Sequence, residues 1–147
     1  MRSLDHKNLL KLRGVYESPS SLYFVLDLLE GGNLFSRLTS KKKYSEYDCA
    51  RVFQQIFEAI NNMHKNGFMH RDLKPENILF VKKDDHDLDI RIVDFGLATA
   101  IGTANCIHRR CGTPGYCAPE VLTSKDGDTL YSEKCDIFSI GCILYQL

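Results

Sequence analysis

His70-Arg71-Asp72-Leu73-Lys74-Pro75-Glu76-Asn77 places an acid, a base and an amide within six residues, Asp72 to Asn77, of a polar stretch. Such a stretch makes a poor core, because each polar group needs a partner when it is taken out of water. It is well suited to handling a phosphate. Lys74 offers a compact point charge for an anion. The Asp72 carboxylate can accept a proton. The Asn77 amide adds a hard oxygen of the kind that Mg²⁺ prefers.

Two further motifs follow in order, Asp94-Phe95-Gly96 and Ala118-Pro119-Glu120. One tripeptide alone means little, but the three in this order and spacing are specific. The first stretch fits H-R-D-L-x-x-x-N at every fixed position. Together they resemble the eukaryotic-type serine/threonine protein kinases, and the resemblance covers essentially the whole chain. It implies an α+β, protein-kinase-like bilobal fold, present in part. Residues 1–26 would be the end of a β-rich N-lobe, 27–32 the hinge, and 33–147 an incomplete, mainly helical C-lobe. The hinge and Gly112-Thr113-Pro114-Gly115-Tyr116 look most like the calcium/calmodulin-dependent group.

The resemblance implies roles residue by residue. Asp72 would accept the proton of a substrate hydroxyl, and Lys74 would reach the γ-phosphate of ATP. A lysine there also marks Ser/Thr rather than Tyr kinases. Asn77 and Asp94 would hold Mg²⁺, and Thr113 would contact Asp72 and Lys74. Leu26 matches the gatekeeper, the Asp27 carbonyl and Leu29 amide match the groups that bond adenine, and Leu79 matches a residue beneath its ring. Asn33 falls where the family often has an acid near the ribose. His70 and Phe95 resemble a stacked pair, and Asp136 an acid that holds the loop's backbone. A protein substrate is implied; no regulatory partner is readable.

The flanking stretches supply local structure. Leu12–Tyr16 reads as a strand, 17–21 with Pro19 as a turn, and Leu22–Leu26 as a buried strand of β-formers. Gly31-Gly32 then breaks the pattern. Ser45 to Asn66 is the best helix: Ser45 caps it and Asp48 suits its positive end. Val52, Phe53, Ile56, Phe57, Ile60 and Met63 make its apolar stripe, and Gly67 stops it. Ile78–Val81 and Ile90–Val93 read as short strands around an acidic, solvated connection. Residues 94–120 read as one long functional loop. Residues 131–147 read as a helix with Ile137, Ile140, Ile143, Leu144 and Leu147 apolar, too many for one buried face, so an exposed apolar patch is expected.

Composition narrows the function classes. Nineteen basic and 19 acidic residues cancel, so no charge excess points to nucleic acid or an anionic membrane. No apolar run approaches the roughly 18–20 residues of a membrane helix. The charged start, Met1 to Lys7, lacks the apolar stretch of a signal peptide. A cytoplasmic, intracellular setting and free thiols are expected for the six cysteines. Cys106, His108, Cys111 and Cys117 form a competing zinc constellation, but their spacing lacks a paired C-x₂-C.

No G-x-G-x-x-G loop and no V-A-I-K lysine occur here. The chain is therefore expected to be a fragment or a truncated product, inactive by itself. The two functional readings are a kinase active in its full-length domain and a kinase-like scaffold without catalysis. Arg109 stands where the family usually carries a phosphorylated Thr or Ser, so activity without that phosphate is expected.

Overall fold

The computed structural model of the chain describes residues 4–40, 45–84, 86–103, 110–123 and 132–146. The fold is α+β: short strands precede and punctuate helices. Strands β1 (Leu12–Ser18) and β2 (Ser21–Leu26) form an antiparallel hairpin. The expected five-residue turn shrinks to Pro19-Ser20, because proline presets the turn and Ser18 pairs directly with Ser21. The register slips between Leu12 and Gly14. This bulge frees Arg13 from the ladder, and its guanidinium grips Asp27 through Nε at 2.6 Å and Nη2 at 3.1 Å.

The expectation that β2 is buried is not met. All six of its residues are exposed, with Tyr23 and Phe24 each at 56%. Apolar composition shows which residues form a strand, not whether something covers it. Among the described residues β2 pairs with β1 alone.

The core lies around helix α2 (Glu46–Lys65). Ser45 Oγ accepts from the Asp48 amide at 3.1 Å, which starts the helix as expected. Val52, Phe53, Ile56, Ala59, Ile60 and Met63 are buried. Phe57 is not; it stays 45% exposed at the edge of the stripe and leans on Phe53 instead. A short helix not expected from the sequence, α1 (Leu34–Ser40), precedes α2. Asn33 caps it, with Oδ1 accepting from the Ser36 amide at 2.7 Å.

Two small antiparallel ribbons complete the frame. β3 (Phe68–Met69) pairs with β6 (Thr99–Ala100), and β4 (Ile78–Phe80) pairs with β5 (Ile90–Ile92). β6 and helix α3 (Pro119–Thr123) interrupt the stretch read as one long loop. The last helix, α4 (Lys134–Gln146), buries Cys135, Asp136, Ser139, Ile140 and Ile143. Ile137, Phe138, Leu144 and Tyr145 form the expected exposed apolar patch; Leu147 lies outside the described residues. No described helix is long and apolar enough to cross a membrane.

The linker at residues 27–32 is tied to β4. Glu30 N donates to Val81 O, Gly31 N to Phe80 O, and Phe80 N to Gly32 O, all within 3.1 Å. The approach at Gly31 leaves no room for a side chain: a Cβ there would lie 2.3 Å from the Lys82 carbonyl and 2.5 Å from Phe80 Cβ. Gly31→Ala must therefore push backbone apart. It should lower stability by about 1–3 kcal/mol, the usual scale of overpacking. Denaturant unfolding of parent and variant measures it, and an unchanged midpoint would contradict the close approach.

Candidate active site

Chain geometry forces the site together before any chemistry is considered. The β3 strand delivers the chain into His70, and a 3₁₀ turn at Pro75–Asn77 delivers it into β4. Between them Arg71 adopts φ 72°, a left-handed conformation that a non-glycine residue holds only when its surroundings insist. The surroundings are two hydrogen bonds from α4. Asp136 Oδ1 accepts from the Arg71 amide at 2.8 Å, and Oδ2 accepts from the His70 amide at 2.9 Å. His64 Nε2 donates to the same Oδ2 at 2.8 Å. Asp136 is fully buried, so these bonds act in a medium that screens little. The Arg71 side chain turns the other way, and its Nε donates to the Leu97 carbonyl at 2.6 Å.

The polar side chains of the loop follow. Thr113 Oγ1 donates to Asp72 Oδ1 at 2.7 Å and accepts from Lys74 Nζ at 2.8 Å. Lys74 Nζ also lies 3.0 Å from Asp72 Oδ2. Asn77 Nδ2 donates to the Asp72 carbonyl at 2.9 Å and more weakly to Oδ2 at 3.3 Å. Burial pushes the Asp72 carboxyl up, but the hydrogen bonds from Thr113 and Lys74 and the Lys74 charge outweigh it. The net direction is below the usual carboxylate range, so Asp72 is ionised at neutral pH. An ionised carboxylate beside an ammonium and a hydroxyl can take a proton and steady an anionic group.

Asp94 arrives from β5. Its partner strand begins next to Asn77, and Val93 N donates to Asn77 O at 3.0 Å, so the two residues share one end of the β4–β5 ribbon. Asp94 is exposed and left-handed, with φ 59°, and its Oδ1 accepts from the Gly96 amide at 3.2 Å. Phe95 meets the His70 ring at 5.4 Å between centroids, tilted by 56° rather than stacked flat. Leu79 is half-buried on β4, bridged to Asn33 just after the linker. Asn33 engages its Oδ1 in capping α1. Asp27 turns its carboxylate to Arg13, which lowers its pKa mainly by hydrogen bonding. Leu26 and Leu29 lie at the exposed end of β2 and in the linker, half-buried only at Leu29. The structure thus brings Asp72, Lys74, Asn77 and Thr113 into direct contact. Leu26, Asp27, Leu29, Asn33 and Leu79 line the linker and the strand beside it.

Sequence reasoning missed His64, Arg37 and the need for glycine at 31. His64 stands one residue from the end of α2, where a basic residue reads equally as a helix-end charge. Cys106, His108 and Arg109 lie outside the described residues. Among the described residues no three His, Cys, Asp or Glu side chains group to hold a metal, and Cys49, Cys117, Cys135 and Cys142 are free thiols. Burial pushes the Cys117 and Cys135 thiols up, away from the reactive thiolate.

The chain matches the protein kinase domain family over residues 1–147 and belongs to it. Among curated proteins it is similar to a probable myosin light chain kinase of Dictyostelium discoideum, at 43% identity over 143 residues, 97% of this chain and 44% of that protein. It is similar to calcium-dependent protein kinase 4 of Plasmodium falciparum, at 44% over 147 residues, 100% of this chain and 27% of that protein. It is also 42% identical over 144 residues to the calcium/calmodulin-dependent protein kinase type IV of Homo sapiens, 98% of this chain and 29% of that protein. The chain spans between about a quarter and a half of the length of these relatives.

His70 supports the site by staying neutral. Burial drives its pKa down, against the opposing pull of Asp136 and of the bond to the Val93 carbonyl. Nε2 donates to Val93 O at 3.0 Å, and Nδ1 accepts from the Asp72 amide at 3.3 Å. Protonation would turn Nδ1 into a donor facing a donor. The unfolded histidine titrates near its ordinary value of about 6.5. The contribution of His70 to stability is therefore complete above that pH and is lost as pH falls below it. Imidazole ¹⁵N NMR should find the Nε2-protonated tautomer and a midpoint below 6.5; a midpoint at or above 6.5 would contradict it.

Proposed function

We propose that the protein carrying this chain is a serine/threonine kinase, moving the γ-phosphate of ATP to a hydroxyl of a protein substrate. The observation that carries this is the contact set of Asp72, Lys74 and Thr113. Phosphoryl transfer asks for positioning and cations more than for covalent help. Asp72 is the base that receives the hydroxyl proton. Lys74 lies against it where a charge on the transferring group develops, and Thr113 links both to the segment that receives substrate. A lysine at position 74, which by resemblance marks Ser/Thr rather than Tyr kinases, supports Ser or Thr acceptors.

Asn77 and Asp94 fit Mg²⁺ by their donor chemistry. Both offer hard oxygens, and with Asn77 Nδ2 turned to Asp72 its remaining acceptor is Oδ1. Two protein oxygens suffice for an ion that completes its shell with water and substrate phosphates. Mg²⁺ would supply charge neutralisation on those phosphates. The adenine would lie between Leu79 and the backbone of Asp27 and Leu29, with Leu26 behind it and Asn33 near the ribose. The linker at 27–32 would divide the lobes. Such an enzyme acts where ATP and reduced thiols are present, inside the cell.

Asp72→Asn keeps the shape and removes the base. In the protein as its gene encodes it, the chemical step should fall by about 10²–10⁴-fold, the scale of general-base catalysis, with ATP affinity little changed. Single-turnover phosphotransfer to Ser, Thr and Tyr peptides tests both the base and the acceptor class. Near-normal turnover in the variant would remove Asp72 from the role. ATP binding without transfer in the parent would favour the scaffold reading.

A further inference from the structure

Arg37 takes no part in the chemistry above, yet its side chain donates to four backbone carbonyls at and beside the linker. It is 5% exposed on α1. Nε donates to the Gly31 carbonyl at 3.2 Å, and Nη1 to the Asp87 carbonyl at 2.9 Å. Nη2 donates to the carbonyls of Lys82 at 2.6 Å and Asp84 at 3.1 Å. The guanidinium carbon lies 3.8 Å from the centre of the Phe80 ring. A planar fork of five donors is the side chain able to hold four carbonyls at once. Three of those carbonyls belong to the connection between β4 and β5, and the fourth to the linker. Gly31 itself lies against Lys82, and its amide bonds Phe80.

We propose that Arg37 is a positioning residue for the nucleotide. It clamps the linker to the strand that carries Leu79, and so sets the width of the slot between them. This rests on the kinase reading and adds a residue that the reading leaves out. The clamp is separate from the transfer machinery. Asp72, Lys74 and Thr113 hold one another, and Asp136 holds their loop from α4. Loosening Arg37 therefore moves the nucleotide's seat while leaving the reacting groups in place. The cost falls on binding ATP and not on the chemical step.

The test is steady-state kinetics on the protein as its gene encodes it, with Arg37→Lys and Arg37→Gln. Lysine keeps a charged donor on a similar stem but cannot span four carbonyls; glutamine keeps a short neutral donor. Ile60→Val, a buried change in α2, serves as a control for general loss of stability, compared at equal loss of melting temperature. The expected result is a rise in the KM for ATP of roughly tenfold in Arg37→Gln and less in Arg37→Lys, the scale of one or two hydrogen bonds. The kcat should stay within about twofold, and the control should not move KM. If either Arg37 variant folds and its KM matches the control, or if kcat falls in parallel with kcat/KM, the inference is overturned. An inactive parent would instead remove the kinase reading, so the two failures are told apart.

Discussion

A carboxylate with no access to water, that of Asp136, joins helix α4 to the loop that begins at His70. It receives hydrogen bonds from the amides of His70 and Arg71 and from the ring of His64, and so ties α4, α2 and the loop at one point. The strained Arg71 backbone depends on it. A left-handed non-glycine residue costs of order 1–3 kcal/mol, and it persists only where surrounding bonds over-determine it. With the loop's entry fixed, the rest of the geometry follows. His70 stays neutral and hands its Nδ1 to the Asp72 amide, and Asp72 then presents its carboxylate to Lys74 and Thr113.

The linker side of the site rests on a different constraint, the close approach at Gly31. Backbone-to-backbone contact of the linker with β4 is possible only where no Cβ intervenes. Arg37 then satisfies the carbonyls that this approach and the β4–β5 connection leave pointing inward. Two supports of different kind, one a buried acid and one a buried cation, thus hold the two halves of the site. Among the described residues the hydrogen bonds of Asp136 and of Arg37 share no partner.

Much of this was legible in the residues. His70 to Asn77, with the two motifs that follow it, pointed to the protein kinase family because acid, cation and amide recur there in one fixed order. The α2 stripe was readable from spacing alone, and Asp136 from its place in a known motif. What escaped has a physical reason in each case. β2 reads as buried because Leu22 to Leu26 are apolar, but burial depends on what covers a strand, which a local run cannot state. α1 is too short for periodicity to show, and its cap, Asn33, reads equally as a turn residue. Arg37 is invisible because a buried arginine is defined by carbonyls that come together only in the fold, from positions 31 and 82–87. Phe57 falls on the edge of its stripe, where sequence cannot separate half-covered from covered.

The dependence on Asp136 can be measured directly by amide hydrogen exchange at His70 and Arg71, in the parent and in Asp136→Asn. Asparagine keeps the size but offers one acceptor and two donors, so one of the two amides must face a donor. Exchange at one or both amides should accelerate by at least about tenfold, while buried amides of α2 such as Ile56 stay protected. If both loop amides remain as slow as in the parent, the loop is held by something other than Asp136, and the order of dependence drawn here is wrong.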